Sequence, residues 1–131
     1  MKNSINLILL MILLITVSLA GCTGAQSGGA ENAVVNYYQA LVDRDINKLI
    51  DSSCADWESQ ARTDFNAFTA VKLELNNLQC RTIGNDREMQ LVSCTGSIIA
   101  NYGAEDQEID IADRTYQVKE EGGNWRMCGI R

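Results

Sequence analysis

The apolar residues of this chain repeat in two different ways, and the change from one to the other falls near Val71. Before it the spacing is helical. Ala33, Val34, Tyr37, Tyr38, Leu41 and Val42 form one stripe over Glu31 to Val42, the i, i+4 and i+8 pattern of an amphipathic helix. Asp43-Arg44-Asp45 breaks that stripe, and Asp45 can cap a short second helix through Ile46, Leu49 and Ile50. Trp57, Ala61, Phe65 and Phe68 carry a third helix from about Asp56 to Ala67. After it the pattern alternates. Val71, Leu73 and Leu75 are interleaved with Lys72 and Glu74, which predicts a strand. Gly84-Asn85-Asp86, Gly103-Ala104 and Gly122-Gly123-Asn124 supply turns. Between and after them lie strands over Glu88 to Tyr102, Glu108 to Lys119 and Trp125 to Ile130. The expected class is α+β: N-terminal helices packed on a four-stranded, or larger, antiparallel meander.

The first 21 residues stand outside that pattern. Lys2 is followed by an apolar run from Ile5 to Ala20, broken only by Asn6, Thr16 and Ser18, and then by small residues. A charged start, an apolar stretch and a small-residue cut site describe an export signal. Leu19-Ala20-Gly21-Cys22 resembles the lipobox of bacterial lipoproteins. The resemblance implies cleavage between Gly21 and Cys22, a diacylglycerol on the Cys22 sulfur and acylation of the new amine, commonly by palmitate. Two or three acyl chains are what stable anchoring needs, at about 0.8 kcal/mol for each buried CH₂. Residues 22–30 then hold the lipidated cysteine and a Gly-, Ser- and Ala-rich tether, and 31–131 form a single domain. The expected location is extracytoplasmic, on the membrane.

Removing the signal takes away Lys2 and no acid, so the charge becomes 10 − 17 = −7. An acidic chain is repelled by nucleic acid, which is excluded as a partner, and the same balance argues against attraction to anionic headgroups. The chain contains no His, the commonest general base and metal ligand. Besides Cys22 it has Cys54, Cys80, Cys94 and Cys128. An even set in an exported domain predicts two disulfides. Cys80 and Cys94 flank the first turn and can face each other across one hairpin. Cys54 would then join the helical segment to the last strand through Cys128. No C-x₂-C spacing suggests zinc, and no cofactor is expected.

The segment Ala33-Val34-Val35-Asn36-Tyr37-Tyr38-Gln39-Ala40-Leu41-Val42-Asp43, running on to Ile50, resembles the opening of nuclear-transport-factor-2-like domains. The resemblance implies a curved antiparallel sheet wrapped around the helices as a cone. That fold hosts isomerases, dehydratases, ligand sensors and non-enzymatic partners, so it names no activity. In its enzymes an Asp or His inside the cone acts as base, and Tyr or Asp groups donate to an oxyanion. Tyr37, Tyr38, Tyr102, Tyr116 and Asp64 are the residues here that could take such roles. Tyr37 and Tyr38 sit on an amphipathic helix and read as core.

Other constellations have plainer readings. Asp43, Asp45 and Asn47 open like a calcium loop, but its Gly and Glu positions hold Lys48 and Cys54. A helix break capped by Asp45 accounts for them. Asp106, Glu108 and Asp110 alternate on a strand and share one solvated face, with Ile109 and Ile111 turned to the core. Cys54 lacks the base a nucleophile needs. Trp57 and Trp125 are expected in the core where the third helix meets the sheet. The functional expectation is a membrane-anchored lipoprotein with a non-catalytic domain that binds a small apolar ligand or an envelope protein. An isomerase- or dehydratase-like enzyme and a structural envelope protein are the alternatives.

Overall fold

The computed structural model describes residues 28–131; the signal segment, Gly21, Cys22 and the first part of the tether lie outside the described residues. Helix α1 spans Ala30–Val42, one residue into the expected tether, and is followed by α2, Ile46–Asp51. A 3-10 turn at Ala55–Trp57 leads into α3, Glu58–Ala67. The strands are β1 (Lys72–Asp86), β2 (Met89–Asn101), β3 (Asp106–Asp110), β4 (Thr115–Glu121) and β5 (Asn124–Ile130). The architecture is α+β, with helices first and an open five-stranded antiparallel sheet after them. Among the described residues, no helix is long and apolar enough to cross a membrane.

Local chemistry sets the breaks. The Asp45 carboxylate accepts from the Lys48 backbone N–H at 3.0 Å, which satisfies one free donor at the start of α2. Gly122 and Gly123, both at positive φ, make the two-residue link between β4 and β5.

Two expectations are corrected. Gly84-Asn85-Asp86 is not the first turn. β1 continues through it, Gly84 marks a bulge opposite Leu91, and Arg87-Glu88 turns the chain, with Arg87 at φ 58°. A turn residue in a strand and a charged residue in a left-handed turn both run against simple propensity, and the long β1–β2 ladder decides between them. The segment Glu108 to Lys119 is not one strand. It breaks after Asp110, whose carboxylate accepts from the Ala112 N–H at 2.7 Å, while the Ile111 N–H goes to the Gly96 carbonyl at 3.4 Å. β3 pairs with the end of β2 (Ser97 to Asn101) and β4 with its start (Gln90 to Ser93). One long strand therefore serves two short ones along the same edge, in the order β1-β2-β4-β5.

Bulges interrupt β1 at Asn76/Gln79 and at Thr82/Gly84, and the β4–β5 pair at Gln117/Val118. Each bends its strand and deepens the twist. As a result α1 touches β1, β2, β4 and β5. Such a helix is apolar over more than one stripe. Val34, Tyr37, Tyr38 and Leu41 are buried together with Leu49, Val92, Ile98, Ile111, Tyr116, Val118 and Met127. Each aliphatic side chain fully removed from water there contributes roughly 1.5–3 kcal/mol before entropic costs. Trp57 and Trp125 pack against this core at its margin, half-buried.

Candidate functional site

The interior brings together four of the five residues that could do chemistry. Tyr37 and Tyr38 are neighbours in sequence, so their side chains leave α1 about 100° apart. Tyr37 turns toward α3 and donates its hydroxyl hydrogen to Asp64 Oδ2 at 2.7 Å. Tyr38 turns toward the sheet and donates to the Tyr116 hydroxyl at 3.1 Å, which in turn donates to the Ile111 carbonyl at 2.9 Å. The rings meet edge to face, at 5.6 Å for Tyr37–Tyr38 and 5.8 Å for Tyr38–Tyr116. Tyr102 is elsewhere, 55% exposed after the end of β2.

Burial raises the Tyr37 hydroxyl far above its ordinary value, and the Asp64 carboxylate adds to the shift. Tyr116 is raised as strongly by burial and by Tyr38. Tyr38 is raised by burial, against the opposing pull of Tyr116 and of the nearby Arg114 guanidinium. All three phenols stay protonated through the physiological range, so none is a base. A phenol has one hydrogen to give, and here each is given to a protein acceptor. Asp64 Oδ1 accepts from Gln60 Nε2 at 2.8 Å, so both of its oxygens are engaged. A donor that stabilises a developing oxyanion has to be free and aimed at it. This arrangement instead spends its polar groups on one another. The Trp57 indole N–H lies beside the Tyr37 oxygen without a hydrogen bond of ordinary geometry.

Gln60 and Arg114 were not foreseen as members of this cluster. The i, i+4 spacing of Gln60 and Asp64 is a sequence signal for the first. Nothing in the sequence signals Arg114, which the break between β3 and β4 delivers.

The remaining candidates lie apart. Asp106, Glu108 and Asp110 occupy exposed positions on β3. Asp106 accepts from Asn101 Nδ2 at 2.6 Å and Glu108 from the Ser97 hydroxyl at 2.6 Å. Among the described residues, no group of three or more Asp, Glu, His or Cys side chains is arranged to hold a metal ion. Asp43 accepts from Gln39 Nε2 at 2.8 Å at the end of α1. The disulfides are Cys54–Cys128, with Cα atoms 4.9 Å apart, and Cys80–Cys94, at 4.0 Å. The second joins directly opposed residues of β1 and β2. The first reinforces a junction where the Cys54 N–H donates to the Met127 carbonyl and the Met127 N–H to the Ser52 carbonyl, both at 2.8 Å.

No protein-family model and no curated protein sequence matches this chain. Among solved structures it is similar to the solution structure of a SEC-C motif containing protein from Rhodopseudomonas palustris. The TM-score is 0.51, the identity 11%, and the match covers 78% of each chain. At that identity the likeness concerns the fold alone.

Proposed function

We propose that this chain is a lipid-anchored envelope protein whose extracytoplasmic α+β domain works through its surface, toward a protein partner, without catalysis. The observation that carries the reading is the cysteine count. Cys54, Cys80, Cys94 and Cys128 pair with one another. Disulfides of this kind belong to an oxidising, exported compartment. Cys22 stands after Leu19-Ala20-Gly21 at the end of an apolar run. With the other four cysteines paired, a lipid on the Cys22 sulfur accounts for the odd count of five.

The non-catalytic part rests on the interior. Its phenols and carboxylate are hydrogen-bonded within the protein, and apolar side chains occupy the space between α1 and the sheet. The resemblance to nuclear-transport-factor-2-like domains is supported by element order and by the contact of α1 with four strands. An interior filled in this way favours the protein-partner and structural readings over the ligand and enzyme readings.

The test is metabolic labelling with a palmitate analogue, followed by fractionation. The wild type takes up label and sediments with membranes. Cys22→Ala takes up none and remains unprocessed. Equal labelling and processing of the two would sink the proposal.

A further inference from the structure

The point at which the tether joins the domain is next to an exposed hairpin arm. Cys22 and Gly28 are six residues apart, so the chain between them spans at most about 22 Å. A folded chain of this length is about 34 Å across, from a radius of gyration near 13 Å. The tether is therefore shorter than the domain, and on a lipid anchor the end bearing Gly28 faces the bilayer. At that end Thr82 Oγ1 donates to Glu31 Oε2 at 2.9 Å, which holds the outer half of the β1–β2 hairpin against the start of α1.

Every residue from Arg81 to Glu88 is exposed. Ile83 is 50% exposed, and the other large apolar residue so exposed among the described residues, Tyr102, follows the far end of β2. Basic residues lie on either side of Ile83 in sequence and against the acids of the hairpin tip. Arg81 and Arg87 flank it in sequence, Lys119 reaches Glu88 at 3.5 Å, and Arg131 reaches Asp86 at 3.1 Å. With Glu31, the arm and its partners carry 4 − 3 = +1, whereas the rest of the mature chain carries 6 − 14 = −8. The arm and its partners are thus less repelled by anionic headgroups than the rest of this acidic domain.

The geometry points to this arm as a membrane-contact element: Ile83 enters the headgroup layer of a phospholipid bilayer, and Arg81 and Arg87 lie at phosphate level. Arginine suits that position because its stem packs along apolar groups while its planar head binds phosphate. A second copy is the less suitable occupant, because the bulges at Asn76/Gln79 and Thr82/Gly84 break the even row of N–H and C=O groups that edge pairing needs. The inference rests on the lipid-anchor reading of Cys22.

The test uses the processed, lipid-bearing protein in vesicles of phosphatidylglycerol and phosphatidylethanolamine with brominated acyl chains. Flotation of the wild type reports on the anchor separately. The emission added by Ile83→Trp is expected to be blue-shifted and quenched about twofold or more, as for a side chain at the headgroup–acyl boundary. That added by Tyr102→Trp, at the distal end, is expected to stay unquenched. Flotation with no quenching at Ile83→Trp, or with equal quenching of the two variants, overturns the arm's role and leaves the anchor standing. A blue shift that grows with the protein-to-lipid ratio, without quenching, assigns the arm to a second copy and also overturns it. Failure to float removes the anchor, and with it the arm's assignment.

Discussion

Removing the two disulfides one at a time separates the contribution of chain topology from that of packing. Cys54–Cys128 closes a sequence separation of 74 residues and Cys80–Cys94 one of 14. In the chain-entropy model the first stabilises by about 4.5 kcal/mol and the second by about 3 kcal/mol. Each pair has one fully buried member, Cys54 and Cys94, both 2% exposed. The packing loss on substitution by Ala is therefore similar, and the difference of about 1.5 kcal/mol reports loop length. Against a total of roughly 5–15 kcal/mol for a domain of this size, losing the longer bridge removes much of the margin. The double variant Cys54→Ala/Cys128→Ala is expected to melt at least about 15 °C below wild type, at 4–8 °C for each kcal/mol. Cys80→Ala/Cys94→Ala is expected to fall between the two. Urea unfolding followed by far-UV circular dichroism gives the free energies directly. If Cys80→Ala/Cys94→Ala is as costly as Cys54→Ala/Cys128→Ala, or more so, the loop-closure argument is wrong for this fold.

Three further outcomes follow from the interior and the sheet. Tyr116→Phe leaves the buried Ile111 carbonyl without a donor and Tyr38 without its acceptor, at a cost of about 1–3 kcal/mol in urea unfolding; a neutral result would mean that the hydroxyl chain is not formed. The raised tyrosines bind protons in the folded state above pH 10 that the unfolded chain has released, so stability present below about pH 10 is lost as pH rises further, by up to about 1.4 kcal/mol for each tyrosine and pH unit. Phenolate absorbance from three tyrosines should then appear together with the loss of circular dichroism, and its appearance in a still-folded protein would contradict their burial. Gly96→Ala, at φ 104°, would set a Cβ 2.5 Å from the Asn76 carbonyl oxygen and is expected to destabilise by more than about 1 kcal/mol, whereas the same change at Gly103, with open space around it, meets only backbone strain.

The elements that could be read from the sequence are those whose period is local. The α1 stripe, the Asp45 cap and the Gly122-Gly123 turn each follow from residues within a few positions of one another. The division of Glu108 to Lys119 was not legible, because its cause is β2, a partner long enough to pair with two strands on one edge. For the same reason Gly84 read as a turn: only the register across to Leu91 shows it to be a bulge. In the interior, the tyrosines and Asp64 could be nominated by type. Their partners could not, since Tyr37 and Asp64 are 27 residues apart and Tyr38 and Tyr116 are 78 apart. Whether such groups are free or paired is decided by tertiary contacts that composition does not carry.

The proposed anchor assigns Cys22 to lipid and leaves Cys54, Cys80, Cys94 and Cys128 to pair with one another. Intact-mass analysis of protein extracted from membranes, alkylated while denatured and without reductant, tests that division directly. The prediction is a chain beginning at Cys22, heavier by a diacylglycerol and a further acyl group, with no alkyl label on Cys54, Cys80, Cys94 or Cys128. A chain that retains Met1 to Gly21, or one carrying alkyl groups on those four cysteines, would contradict it.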